Sequence, residues 1–458
     1  MSSLPSRSPS AGNADILKIL VRNGRLIDPR SRTDAVGDLL LDGGRIEAVG
    51  GRIEVSGAEV VDASGLVVAP GFIDMHVHLR EPGQIHKETI LTGARAAARG
   101  GFTSICAMPN TNPVNDAPDV TAFVLKAAAG ADVRVFPIAA LTRGLQGVEA
   151  VDFAALLEAG AVAFSDDGRC IQDEALMQKV MAAARDLDAL VIDHCEDRAL
   201  FGKGVINDGP VARRMNLPGI PAAAEDVIVA RDIKLAESGY GRVHIAHLST
   251  RGSARLVAEA RKRGVPVTAE VTPHHLLLTE NEVEPGGTNF KMNPPLRAAG
   301  DVAALIDAVR NGDADVFATD HAPHAAAEKA LGFQDAPFGI VGLETAVSLL
   351  LDRLVRPGII PLSRFVEMWS CRPAEILKWP GKGRLTPGAD ADLTLLDLDR
   401  GVTIDPDRFA SLGRNTPFAG WALIGAPAMT IVGGRIAYPA LFTSRDGSRC
   451  ETRRVKLC

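Results

Sequence analysis

Eight short apolar runs alternate with Ala-rich helical stretches through the middle of this 458-residue chain, and few folds accommodate that alternation. The runs cover residues 71–78, 104–108, 133–140, 161–167, 190–194, 243–248, 265–271 and 316–320. Between most of them lie amphipathic segments of helix length, among them 175–187, 223–237 and 253–263. Strand–helix alternation is the signature of a parallel sheet. Eight such units close into a (β/α)8 barrel of the TIM type. An open doubly wound sheet is the competing arrangement, and it calls for a phosphate-cradling glycine loop after its first strand. This sequence has no such loop there.

The two ends have a different texture. From about residue 16 to 68 there are short strand-like runs punctuated by Gly-Gly turns. The tetrapeptide Gly-Gly-Arg-Ile begins at Gly43, at Gly50 and again at Gly433, and residues 391–396 and 429–438 supply further strands. The expected arrangement is a small β-sandwich built from both termini around an inserted barrel. Its parts would be residues 15–69 and 381–440, with the barrel at 70–380 and tails at 1–14 and 441–458.

Composition narrows the functional classes. Hydrophobic residues make up 46% and charged residues 23%, the balance of a soluble globular protein. With 4% aromatic residues and a net charge of −6, the chain offers neither a base-stacking surface nor a basic footprint, so no nucleic-acid partner is expected. No run approaches the roughly 18 apolar residues of a membrane span. The Ser/Pro/Gly-rich stretch 1–13 lacks the apolar core of a secretory signal and reads as a disordered tail. Six cysteines with no CxxC pair point to reduced thiols and a cytoplasmic protein.

All ten histidines fall between His76 and His324, inside the proposed barrel. The active site of such a barrel is built where the strands end in their following loops. His76 and His78 lie two apart on the first strand and so share a face. His194, His247 and Asp320 end the fifth, sixth and eighth strands. Converging imidazoles and a carboxylate suit zinc or a similar metal. The fourth strand ends Asp166-Asp167-Gly168, and spacing alone lets either Asp project inward. A two-metal hydrolase needs a bridging ligand, which a carboxylate can supply. A carboxylated lysine is not expected, because Lys126 is the only lysine between Asp116 and Asp173 and it belongs to a helical run. A water held by such metals ionises near neutral pH while the metals polarise the carbonyl under attack. Asp320 can take the proton and return it to the leaving nitrogen.

The string Pro70-Gly71-Phe72-Ile73-Asp74-Met75-His76-Val77-His78-Leu79-Arg80-Glu81-Pro82-Gly83 resembles the first-strand signature of type I dihydroorotases, in the amidohydrolase superfamily. Met108-Pro109-Asn110-Thr111, Asp166-Asp167-Gly168, His247-Leu248-Ser249-Thr250, Lys291-Met292-Asn293-Pro294-Pro295-Leu296-Arg297 and Ala318-Thr319-Asp320-His321-Ala322-Pro323-His324 are similar to further stretches of that family. The resemblance runs from about residue 20 to 438. It implies interconversion of dihydroorotate and N-carbamoyl-L-aspartate in pyrimidine biosynthesis, with one or two zinc ions per subunit. It implies His76, His78 and Asp320 on one metal, His194 and His247 on the other, and Asp167 bridging them. It also implies substrate contacts from His78, Arg80, Asn110 and His324 around a carboxylate, from Asn293 near the ring, and from the backbone amides of Phe338 and Gly339.

The residues agree with the resemblance at Arg80, whose guanidinium fork suits a carboxylate. The alternative for Arg80 is a rim arginine paired with Glu81. Asp166, His274 and His275 are expected behind the ligands, and His86, His244 and His321 in structural roles. The loop 325–337 is expected to close over substrate. The family resemblance further implies a homodimer and a possible complex with aspartate carbamoyltransferase. Two other readings compete: an allantoinase or hydantoinase of the same superfamily, and a non-catalytic assembly subunit. The carboxylate-binding set argues against the first, and the complete ligand set against the second.

Overall fold

The computed structural model describes residues 18–439. The expected tails, Cys450 and Cys458 lie outside them. Eight parallel strands follow one another in chain order around a barrel: Phe72–Val77, Phe102–Ala107, Arg134–Ala139, Ala163–Ser165, Val191–Asp193, Val243–Ile245, Val267–Val271 and Val316–Phe317. Closure is made beyond the short eighth strand, where Val77 bridges His321 and the His78 amide donates to the His321 carbonyl at 2.8 Å. A buried carboxylate reinforces this seam. Asp74 accepts from Thr319 Oγ1 at 2.5 Å, from the Thr319 amide at 3.2 Å and from the His76 amide at 3.1 Å. The two ends of the barrel are thus joined immediately beneath His76 and Asp320.

Each strand feeds a helix. The long ones are Ile90–Gly100, Pro118–Ala127, Glu174–Asp186, Ala223–Glu237, Arg251–Lys262 and Ala299–Asn311. Their starts carry the chemistry that orphan amides require: Asp173 accepts from the Leu176 amide and Thr250 from the Ser253 amide. Inside the barrel, Ile73, Met75, Cys106, Met108, Ile138, Ala163, Ile192, Ala246 and Val316 form one buried cluster. A larger cluster fills the layer between strands and helices. On the first strand, Ile73 and Met75 belong to the interior cluster while His76 and His78 stand together at the mouth. The strand register shifts between Asp74 and Val77, where the facing parity changes.

The terminal segments come together as the repeated tetrapeptide predicts. Strands Ile19–Asp28, Thr33–Asp42, Arg45–Gly50, Glu59–Asp62 and Val67–Pro70 join Leu393–Thr403, Ala422–Val432 and Arg435–Pro439 in one continuous eight-stranded sheet. Its two ends curl over a shared apolar core that includes Leu41, Ile46, Ala391, Leu393 and Ile431. Two of the Gly-Gly pairs make the same turn. Gly43 and Gly44 have φ of 55° and 77°, and Gly433 and Gly434 have 56° and 72°. Two consecutive positive φ values define the hairpin turn that matches strand twist. The turns meet at Ala391, whose amide donates to the Gly44 carbonyl and whose carbonyl accepts from the Gly434 amide, each at 2.9 Å. The third pair, Gly50-Gly51, ends a strand without a hairpin. No described helix is long and apolar enough to cross a membrane. Cys106, Cys170, Cys195 and Cys371 are buried, unpaired thiols.

Candidate metal centre

At the carboxyl ends of the strands, His76, His78 and Asp167 form one compact set of ligand atoms, and Asp167, His194 and His247 form a second. Asp167 belongs to both. Its Oδ1 lies 3.4 Å from His76 Nε2, 3.6 Å from His194 Nδ1 and 3.9 Å from His247 Nε2, and its Oδ2 lies 3.5 Å from His78 Nε2. Asp320 completes the first set, with Oδ1 at 3.0 Å from His78 Nε2 and 3.5 Å from His76 Nε2. The choice that spacing leaves open is thereby made. Asp166 turns away and accepts from the amides of Leu141 and Thr142 and from Thr142 Oγ1.

Most of these separations exceed a hydrogen bond yet match the roughly 3.3 Å between donor atoms arranged tetrahedrally around zinc at about 2.0–2.1 Å. His76 Nε2 and His247 Nδ1 are buried without a hydrogen-bond partner. Asp167 and Asp320 are buried carboxylates whose ion-pair partners among the described residues are all histidines. Burial opposes their ionisation, but the surrounding imidazoles outweigh it and hold both below the usual carboxylate range. Burial opposes charge on His194 too, yet contacts with Asp167 and Glu196 push it up to about 10. Burial, together with His194 and His76, drops His247 to about 3. His194 Nδ1 lies 2.8 Å from His247 Nε2. A metal ion bound there would take the lone pairs of both rings, with release of any proton between them. The donor set fits a divalent metal.

Backbone strain accompanies the geometry. His247, Asp320 and Arg80 adopt positive φ of 28°, 47° and 61°. Such residues cost about 1–3 kcal/mol each and persist where their surroundings fix them. For Asp320, the neighbouring Thr319 is held by Asp74.

The groups expected to contact substrate gather at the same mouth. Asn110 Oδ1 accepts from His78 Nδ1 at 2.9 Å, and its Nδ2 donates to Asp167 Oδ2 at 3.2 Å. Asn293 Nδ2 lies 2.7 Å from Glu196 Oε2 and 3.2 Å from His194 Nε2. Arg80 Nε donates to the Pro323 carbonyl at 3.2 Å, and Nη2 lies 3.3 Å from His324 Nε2. Glu81 is not its partner, since Glu81 accepts from the Ile90 amide. The Gly339 amide, expected to face substrate, donates to the Lys291 carbonyl at 3.0 Å. The Phe338 carbonyl accepts from His324 Nε2 at 2.7 Å.

Glu270 escapes sequence reasoning. Its Oε1 lies 2.7 Å from His76 Nδ1, and its Oε2 lies 3.2 Å from His244 Nε2. The one signal is an acid within an otherwise uncharged strand. Glu196 and Lys87 escape too, since both lie in loops beyond the strand ends. His244 and His321 have structural contacts: His244 bonds Thr268 and Glu270, and His321 bonds Glu88 and the Gly342 amide. His275 is fixed between Thr272 and the Pro294 carbonyl.

Taken with the relatives and solved structures it is similar to, this barrel with a histidine–aspartate mouth defines a hydrolase of the amidohydrolase superfamily that acts on cyclic amides. A family model described as Dihydro-orotase-like matches residues 65–253. The chain is 52% identical over 421 residues to a dihydroorotase of Pelotomaculum thermopropionicum, covering 92% of this chain and 98% of that one. It is 48% identical over 427 residues to a dihydroorotase of Syntrophus aciditrophicus, covering 92% and 99%. Among solved structures it is similar to the L-hydantoinase (dihydropyrimidinase) of Arthrobacter aurescens, at 26% identity and a TM-score of 0.83 over 92% of this chain and 96% of that one. The chain belongs to the dihydroorotase family.

Proposed function

We propose that the protein catalyses the reversible hydrolysis of dihydroorotate to N-carbamoyl-L-aspartate with zinc at the His/Asp centre. The observation that carries this reading is Asp167, shared by two ligand sets, with Arg80 and His324 paired at the same barrel mouth. His76, His78 and Asp320 would hold one ion, His194 and His247 the other, and Asp167 both. A bound metal supplies an ionised water at neutral pH and polarises the amide carbonyl. The protein's own residues do the rest. Glu270 and Asn110 orient His76 and His78 from behind. Asp320, ionised and at the edge of the cluster, takes the proton from the attacking water and delivers it to the ring nitrogen as the amide bond breaks. In the cyclisation direction the same carboxyl runs in reverse.

Arg80 binds the ring carboxylate, and this distinguishes the reading from a hydantoinase, whose ring has no carboxylate to receive it. The barrel likeness to hydantoinases makes that the comparison to run. The test is hydrolysis of dihydroorotate beside hydantoin and allantoin, with metal content measured on the same sample. Turnover of dihydroorotate far above the other two, with zinc bound, is the expected result. Preference for either of the others overturns the reading.

A further inference from the structure

Lys87 takes no part in the chemistry described so far, although it stands at the anion end of the site. Its ammonium lies 3.4 Å from His324 Nδ1 and 3.2 Å from Glu328 Oε1. On the opposite side of the ring, His324 Nε2 lies 2.7 Å from the Phe338 carbonyl oxygen. A carbonyl only accepts, so Nε2 carries the proton of the neutral ring. An ammonium only donates, so the Nδ1 that faces it keeps its lone pair. The two contacts together select one tautomer. Arg80 Nη2, near the same Nε2, is then a cationic neighbour and not a hydrogen-bond partner. Burial, with Arg80, Lys87 and Lys329 close by, holds His324 down at about 2, so the ring stays neutral. The acid facing the ring is Glu328, with Oε2 at 3.7 Å from Nδ1.

Glu328 links this arrangement to the segment over the site. Its Oε2 accepts from the Ala325 amide at 3.0 Å, at the start of the short helix Ala326–Lys329. Its Oε1 meets both Lys87 and His86. His86 and Lys87 follow Arg80 in the loop after the first barrel strand, where the Gln84 amide donates to the Arg80 carbonyl and the Lys87 amide to the Gln84 carbonyl. One loop therefore carries the guanidinium and also grips the ring and the segment beside it.

We propose that Lys87 is a positioning residue: it locks His324 in the Nε2-protonated form and, through Glu328, ties residues 325–337 to the loop that presents Arg80. This holds the His324 ring in one orientation beside Arg80, whose Nε donates to the Pro323 carbonyl. The substrate consequence rests on the dihydroorotate reading; the tautomer lock does not.

The test uses the full-length, metal-loaded protein with 15N-labelled histidine, His324 being assigned through His324→Gln. In the parent protein, the His324 nitrogens should show protonated Nε2 and bare Nδ1, unchanged between about pH 6 and pH 9. Lys87→Met should move both signals toward exchange between tautomers, and Lys87→Arg should keep the parent pattern. In turnover, Lys87→Met should raise KM for dihydroorotate roughly tenfold with kcat within about twofold and metal content unchanged, as expected for a lost positioning contact. Lys87→Arg should recover most of that loss. His324 signals identical in Lys87→Met and parent overturn the lock. Loss of kcat together with metal would assign Lys87 to support of the metal centre and overturn it equally. If the parent protein does not turn over dihydroorotate, the functional reading fails, while the nitrogen signals still decide the lock.

Discussion

Glu270 Oε1 lies 2.7 Å from His76 Nδ1, both side chains fully buried, and this contact leaves His76 Nε2 to face Asp167 and Asp320. The same oxygen accepts from the His247 amide at 3.1 Å, so one carboxylate steadies residues of both ligand sets. A carboxylate behind a ligating imidazole fixes its tautomer and strengthens it as a donor. Glu270→Gln keeps the shape and removes the charge. Metal affinity should fall roughly 10–100-fold with the fold retained. Competition against a chromophoric chelator, alongside circular dichroism, measures both. An affinity equal to the parent's would show that the strand alone orients His76.

Adjacent aspartates should part company on mutation. Asp167→Asn removes the charge shared by both ligand sets, and bound metal should drop sharply. Asp166→Asn should leave metal in place but cost about 1–3 kcal/mol of stability, because Thr142 Oγ1 and two amides lose a charged acceptor. Metal analysis and denaturant titration of the two variants separate the roles. Equal metal loss in both would remove the distinction.

Much of the fold and of the candidate site is legible in the amino-acid sequence itself. Short apolar runs ending in His194, His247 and Asp320 give the barrel and its mouth, because period and chain order govern where strand ends lie. The Gly-Gly-Arg-Ile repeat gives the terminal module, because two adjacent glycines permit one particular hairpin turn. What escapes is whatever depends on side-chain direction across the barrel. Asp166 and Asp167 differ only in which way a loop turns after a three-residue strand. Glu270 is far from His76 in sequence and touches it only because the barrel closes. The Gly339 amide is taken up by Lys291, a pairing no local motif encodes.

Lys329 gives a pH signature. It is buried, and its ammonium donates to the carbonyls of Pro337, Gly339 and Lys291 at 3.0, 3.1 and 3.3 Å with no carboxylate partner among the described residues. Burial lowers its pKa from 10.5 to about 7. Below pH 7 it is protonated in both folded and unfolded chains, and the cost of burying the charge applies in full. Between about 7 and 10.5 the folded chain binds fewer protons than the unfolded one, so stability rises with pH in that window. One proton corresponds to a slope of up to about 1.4 kcal/mol per pH unit. Lys329→Met should remove that slope, read as the difference between variant and parent in denaturant midpoints across pH. Parallel curves would mean that the three carbonyls keep the ammonium charged throughout.

Arg80 separates recognition from chemistry. The guanidinium is buried, fixed at one edge by Pro323 and set against the neutral ring of His324. Burial lowers its pKa to about 10, but the neighbouring Asp320 and Asp167 favour the charged form, and it remains a cation at neutral pH. It touches no metal ligand directly, so Arg80→Met should leave metal content intact. A charge-assisted hydrogen bond is worth about 1.5–3 kcal/mol net, so kcat/KM for dihydroorotate should fall at least roughly tenfold to a hundredfold. Arg80→Lys should restore only part of this, because an ammonium cannot reproduce the two-pronged geometry. An analogue lacking the ring carboxylate provides the decisive comparison. It should be about equally poor for the parent and for Arg80→Met, since the interaction lost in the variant is the one the analogue never makes. If Arg80→Met still prefers dihydroorotate over the analogue by the parent's margin, the carboxylate is bound elsewhere, and Lys87 becomes the cation to test.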